Sequence, residues 1–283
     1  MSRVPFSQVL KNAEIDLRRE YDRLYSMFYL QKFQINQTAN LSMRDYCAGR
    51  FFELPFRGTC LSLDDFDEFY GYYFEKVPSN VDIDYLVTFC EYTYNLAVNS
   101  QSVGSDPLGL GIVESYNMTQ PIRAYILQVM KVIDVIGYME NRQGIIVDFC
   151  PKDQAAISVA EIVDSELSYK VIEYNHHSMK GDLNRKKEII IALSNQLEAQ
   201  KDKLSQIDSS LKSDLFYLFN NISLRHNNSD ISSKYFHQYV ASMKDEDLEQ
   251  WYDETYQMCL LAFLELEQVD RKKRVKQLKS NMN

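Results

Sequence analysis

A chain of 283 residues is long enough for one large domain or two ordinary ones with a sizeable core. Hydrophobic residues at 45% and charged residues at 25% are ordinary globular proportions, and a net charge of −9 argues against a uniformly basic nucleic-acid binder. The five cysteines are scattered without a C-x-x-C pair, which argues against a zinc ribbon and a disulfide framework.

Free cysteines of this kind fit a reducing, cytoplasmic compartment. The start of the chain, MSRVPFSQVLKNAEIDLRREYDRL, becomes charged within a dozen residues and has no apolar leader region. No run approaches 18 apolar residues, so no membrane span is expected. Aromatic content is high, with 20 Tyr and 15 Phe against 1 Trp. Tyrosine suits half-buried positions, where the ring packs and the hydroxyl finds a partner.

In chain order, helices are expected over 8–33, 62–75 and 82–98, with RFFELPFRGTCL at 50–61 irregular. Ser62, with Asp65 three residues on, marks a helix start. The segment LDDFDEFYGYYFE at 63–75 alternates carboxylates with aromatics. It reads as an amphipathic helix with an acidic solvent face, or as an acidic-aromatic protein-docking surface. It lacks the ligand pattern of a calcium loop. The glycine-containing stretch 99–119 is the expected boundary between an N-terminal helical region, 1–104, and a C-terminal helical domain, 119–283.

An apolar helix is expected at 120–137. GYMENRQGIIVDFCPKD then gives the clearest β signal, a short β-branched run ended by Pro151, read as a hairpin near 138–149. No proline follows Pro151 and no glycine follows Gly181, so the last hundred residues should hold long helices. One is expected over 183–206, with Asp182 as N-cap after Gly181. Another is expected at about 213–224. A final long helix opens from Ser242 as N-cap with the acidic turn Asp245, Glu246 and Asp247, and closes with Arg271, Lys272, Lys273 and Arg274. The fold class is therefore mainly α: a multi-helix bundle with a small β-hairpin insertion.

The standard catalytic motifs are absent. All four histidines, His176, His177, His226 and His237, lie in the final 110 residues. Glu173 and His177 would share a helical face, but His176 and His177 on one helix would point about 100° apart. Structural punctuation is the expectation there, with no metal site and no cofactor.

The stretch LFNNISLRHNNSD, 218–230, places Arg225, His226, Asn227 and Asn228 in a row. One reading is helix-ending chemistry. Cations suit a helix C-terminus, and asparagine tolerates the left-handed residue that commonly follows one. The other is a site. Arg225, the polar His226 beside it and the later His237 resemble the signature of the HEPN family, in which an arginine is followed by a polar residue and then, a few positions on, a histidine. Here eleven residues separate Arg225 from His237.

HEPN proteins are small all-α proteins of abortive-infection and toxin systems in bacterial phage defence, many of them metal-independent RNases. The resemblance implies a cytoplasmic antiviral effector that cleaves RNA, with two copies meeting as a homodimer. His226 or His237 would take the 2′-hydroxyl proton, Arg225 would hold the phosphate, and Asn227 and Asn228 would orient phosphate or base. The rival expectation is a non-enzymatic helical protein–protein interaction module whose tyrosines line partner surfaces. The basic run DRKKRVKQLK, 270–279, reads as a dipole-satisfying helix end, with a nucleic-acid contact as the alternative.

Overall fold

The computed structural model describes residues 15–34, 40–100, 112–140 and 146–282. Most of the expected 99–119 boundary, and the first residues of the helix expected from residue 8, lie outside them. The described chain is 68% helical, with 12 helices and two small antiparallel sheets of two strands each. It divides into two compact units, Met1–Phe149 and Cys150–Asn283. The division falls at the end of the hairpin instead of in the glycine-containing stretch.

In the first unit, α1 (Leu17–Tyr25) starts where the Asp16 side chain accepts the Arg19 N–H at 3.0 Å. It runs on into a π-helical turn, Ser26–Leu30. A short ribbon follows, β1 (Lys32–Gln34) against β2 (Asn40–Ser42). The sequence reading missed α2 (Met43–Gly49), whose start is fixed by a capping box between Ser42 and Asp45. Helix α3 (Leu63–Tyr70) begins at Ser62, whose hydroxyl accepts the Asp65 N–H as the sequence leads one to expect. It ends sooner than expected because Gly71 adopts φ +76. Helix α4 (Ile83–Asn99) is capped by Asp82.

Helix α5 (Ile112–Val132) stops short of residue 137. Asp134 takes a left-handed backbone, φ 58, and turns the chain into β3 (Val135–Glu140). Strand β4 (Ile146–Pro151) pairs with it. The expected hairpin is present, with its first strand starting earlier than near 138. Gly137 gives β3 a close approach to its partner strand: a Cβ there would stand 3.0 Å from the Val147 side chain and 3.2 Å from the Phe149 ring.

The core of this unit is largely aromatic. Phe89 of α4 meets Tyr21 at 5.0 Å and Phe74 at 4.5 Å between ring centroids, and Phe74 meets Tyr92 at 5.2 Å. Two of the buried tyrosines anchor their hydroxyls on backbone: Tyr21 donates to the Phe74 carbonyl, and Tyr46 to that of Ser100 at 2.9 Å.

In the second unit, α6 (Gln154–Ala160) and α7 (Ser165–Glu173) precede a 3₁₀ turn, His177–Met179. Gly181 at φ +79 then lets the chain enter α8 (Leu183–Glu198), capped by Asp182. The single helix expected over 183–206 is two: Gln200, at φ −114 and ψ 11, interrupts it before α9 (Lys201–Ile207). Neither glycine nor proline announces that break.

Helices α10 (Ser209–Asn221) and α11 (Gln238–Ala241) lead to α12 (Asp245–Met282). Ser242 ends α11 instead of opening α12, and α12 continues past the basic cluster at 271–274. One stripe of α12, including Tyr252, Tyr256, Cys259, Phe263 and Leu266, is buried, as are Ile189, Leu193 and Leu197 of α8. Tyr256 stacks on Tyr174 at 3.9 Å and donates to the Val171 carbonyl at 2.7 Å. No described helix is long and apolar enough to cross a membrane.

Candidate functional site

The stretch that the sequence marks out forms a folded-back loop between α10 and α11. Helix α10 stops at Asn221, and the left-handed residue after it is Ser223, φ 60, not an asparagine. The Arg-His-Asn-Asn run therefore lies beyond the helix end but serves it: the Arg225 N–H donates to the Phe219 carbonyl at 3.0 Å and the Asn228 amide to that of Asn220 at 3.1 Å.

Asn228 organises the loop and is fully buried. Its Oδ1 accepts the Ser223 N–H at 2.8 Å, and its Nδ2 donates to the carbonyls of Asn220 (3.1 Å) and Tyr235 (2.8 Å). Its backbone N–H reaches the His226 carbonyl at 3.1 Å, and its own carbonyl accepts the His237 N–H at 2.9 Å. A buried amide with these groups paired to loop backbone holds the loop's shape.

Arg225 turns its guanidinium onto α8. Its Nη1 donates to Glu198 Oε2 at 2.8 Å, Nη2 to the Ser194 carbonyl at 3.1 Å and Nε to Ser194 Oγ at 3.3 Å. The Phe219 ring lies 5.0 Å from the guanidinium carbon. Hydrogen bonds from Lys201, then from Arg225, hold the Glu198 carboxyl below the usual range. His226 stacks on Tyr235 at 3.8 Å, and His237 Nε2 lies 3.0 Å from Asn221 Oδ1. Asn227 is exposed and donates to Asp230 at 3.4 Å. The loop thus brings the backbones of His226 and His237 to either side of Asn228, while the Arg225 side chain is directed at α8.

The other histidine pair requires a correction. Helix α7 ends at Glu173, so His176 and His177 are not on it, and their rings lie together at 4.1 Å. The Glu173 carboxylate is gripped at both oxygens by Arg185, at 2.7 Å each. The shared helical face proposed for Glu173 and His177 does not form.

The first unit carries a surface of a different kind around α3. Phe69 is 74% exposed, Leu61 72% and Phe52 67%, with Tyr70 and Tyr73 about half exposed. Asp64, Asp65 and Glu68 share the exposed part of α3. Beneath them, buried Phe66 contacts Phe51, Phe56, Tyr70 and Tyr72 within 6.1 Å. Arg44 fastens α3 to α2, donating to Asp64 at 2.6 Å and Asp67 at 2.7 Å, while Tyr92 of α4 donates to Asp67 at 2.7 Å. Burial pushes the Asp67 carboxyl up, although Tyr92 and Arg44 both pull against it.

Beside α3 opens a cavity of about 280 Å³, lined by Phe56, Tyr70, Tyr72, Glu91, Asn95 and Asp148 among others. Asn95 and Glu91, one turn apart on α4, hold β4: Asn95 pairs with both the N–H and the carbonyl of Val147 at 2.8 Å, and Glu91 Oε2 accepts the Phe149 N–H at 2.8 Å. Strand alternation buries Val147 and Phe149 and leaves Ile146 and Asp148 half-buried at the cavity. Sequence reasoning missed these cavity residues. The available signals were the i, i+4 pair Glu91 and Asn95 in an apolar helix and the lone carboxylate in IIVDF. Compared with protein-family models, curated proteins and solved structures, the chain matches none.

Proposed function

We propose that this protein is a helical protein–protein interaction module whose docking surface is the acidic, aromatic face around α3. The observation that carries this reading is the exposure of Phe52, Leu61 and Phe69 beside Asp64, Asp65 and Glu68. Large apolar side chains gathered in this way, rimmed by charge, mark interaction sites. Aromatic anchors supply binding energy, and the carboxylates select the partner by complementarity. The fitting partner is a segment that interleaves Lys or Arg with large apolar residues.

Peptide-display selection on the full chain should enrich such sequences, and Phe69→Asp should abolish the enrichment. An acidic consensus, no consensus, or indifference to Phe69→Asp would overturn the reading.

A second reading is RNA cleavage at the 222–237 loop, in the manner of a homodimeric bacterial defence or toxin effector. It is favoured by the fold-back in which the backbones of His226 and His237 both hydrogen-bond to that of Asn228, within the same loop as Arg225. It requires Arg225 to exchange Glu198 for a phosphate. His237 is exposed, so His237→Ala should leave the fold intact and remove cleavage of single-stranded RNA. A wild-type dimer that cleaves no RNA would end this reading.

A further inference from the structure

We propose that the partner of the acidic, aromatic face is a second copy of this chain, which lays the basic end of α12 upon it. This inference rests on the docking reading above and names its partner. That reading calls for a segment interleaving Lys or Arg with large apolar residues, and RKKRVKQLKSNM, residues 271–282, is such a segment. It carries six basic side chains and no acid, in a chain of net charge −9. LDDFDEFYGYYFE, residues 63–75, carries five acids and no base.

The basic end of α12 is free to be covered. The last buried residue of the helix is Leu266, and every position from Arg271 to Met282 is exposed. Val275, Leu278 and Met282, three and four residues apart, form an apolar row, each more than half exposed. Lys272, Lys276 and Lys279 form the row beside it. The nearest acids serve other cations: Glu267 takes Arg271 at 3.4 Å and Arg274 at 2.6 Å, and Asp270 takes Lys273 at 2.9 Å and Lys203 at 3.3 Å. The helix dipole does not account for this run, because its pull on cations fades beyond the last turn, which holds only Lys279. Lys276 stands one turn from both Lys272 and Lys279, and such like-charge pairs oppose the helix. A surface that offers carboxylates and apolar contact together offsets that repulsion.

The face around α3 offers both. Asp64 and Glu68 lie one turn apart, Asp65 and Phe69 form the neighbouring row, and Leu61 is exposed just before the helix. Arg44 engages Asp64 through Oδ1 only, and the Leu61 N–H engages Asp65 through Oδ2 only, so each carboxylate keeps its other oxygen for a partner. Among the described residues no side-chain hydrogen bond or ion pair occupies the exposed Glu68 carboxylate. The apolar row of α12 is about 10 Å long and α3 about 12 Å. Packed row on row, Val275, Leu278 and Met282 cover Phe69 and Leu61 while the lysine row meets the acids. Nucleic acid would answer the lysines and leave the apolar row in water. An anionic lipid surface would answer both rows and leave the α3 face uncovered. Pairing two copies covers both surfaces in one heterologous contact.

The test is sedimentation velocity of the full chain over a range of concentrations. Reversible self-association is expected, weakening toward about 1 M salt, where the Debye length falls to about 3 Å. Phe69→Asp and Leu278→Asp should each weaken it by at least about tenfold. Both side chains are exposed, so both variants should fold. Mixed in equal amounts, the two variants should associate again, because one keeps its basic end and the other its α3 face. Glu68→Lys and Lys276→Glu form a second complementing pair, should an introduced aspartate disturb either helix.

A chain that stays monomeric, self-association that survives either substitution, or a mixture that stays apart would overturn the proposal. A monomeric chain that binds phosphatidylserine vesicles or single-stranded RNA through Lys276 would assign the basic end to those partners instead. Peptide selection on the Leu278→Asp chain, whose α3 face is not taken by a second copy, tests the docking reading by itself. Basic peptides enriched by a chain that does not self-associate would sink this inference and leave the docking surface standing.

Discussion

Arg225 shows how far a residue's role depends on what its side chain reaches. As a cation near a helix end it would contribute about 0.3–1 kcal/mol. Its three hydrogen-bonded contacts to Glu198 and Ser194, with one donor paired to a carboxylate, raise the expected cost of Arg225→Ala to about 1.5–3 kcal/mol. Urea unfolding checks this, and a loss of only a few tenths would mean that the guanidinium is not held. Lost activity in Arg225→Ala is therefore weak evidence for catalysis, and His237→Ala is the cleaner probe. Asn228→Ala should cost more, about 2–4 kcal/mol, because it leaves the Ser223 N–H and two carbonyls without their partner in a buried place. Hydrogen exchange should show the 222–237 loop opening in that variant, and unchanged protection there would contradict the stapling role.

At the scale of elements, the hairpin and α4 depend on each other. Among the described residues no further strand lies beside the outer edge of β4, and Asn95 takes that place by pairing with both backbone groups of Val147. Asn95→Ala should therefore release β4, lowering stability by about 1–3 kcal/mol and exposing the Val147 amide to exchange. An equally protected Val147 amide in the variant would show that the strand is held by other contacts. Element starts were largely legible, because Ser62, Asp82 and Asp182 cap through local hydrogen bonds. Element ends were less so. The turn at Asp134 and the break at Gln200 rest on residues that carry no strong breaking tendency.

For the molecule as a whole, acid is the informative stress. The Glu249 carboxyl is held below its ordinary value of 4.5, first by the Gly181 backbone N–H and then by Lys186, and Glu198 is lowered likewise by Lys201 and Arg225. A carboxylate with a depressed folded value adds stability that is present above the unfolded value and lost as pH falls through the folded one. The melting temperature should therefore hold from neutrality to about pH 5 and fall progressively below 4.5. Glu249→Gln should flatten part of that fall, and an identical pH profile in the variant would remove Glu249 from the account.

What the sequence by itself determined were the features written in local chemistry. Helical spacing with breaker-free stretches made the protein mainly α, the run IIVDF made a strand, and capping side chains set the helix starts. The acidic-aromatic segment at 63–75 was also visible as a docking candidate, since alternation of types along a short helix is a property of neighbours in the chain. Tertiary structure decided what distant residues do to one another. It joined Arg225 to Glu198 and Ser194, placed Asn228 inside its loop, and set Asp148 and Tyr72 on the wall of one cavity. Those pairings follow from how helices and strands pack, which depends on shape and burial over the whole unit and leaves no periodic trace in the chain.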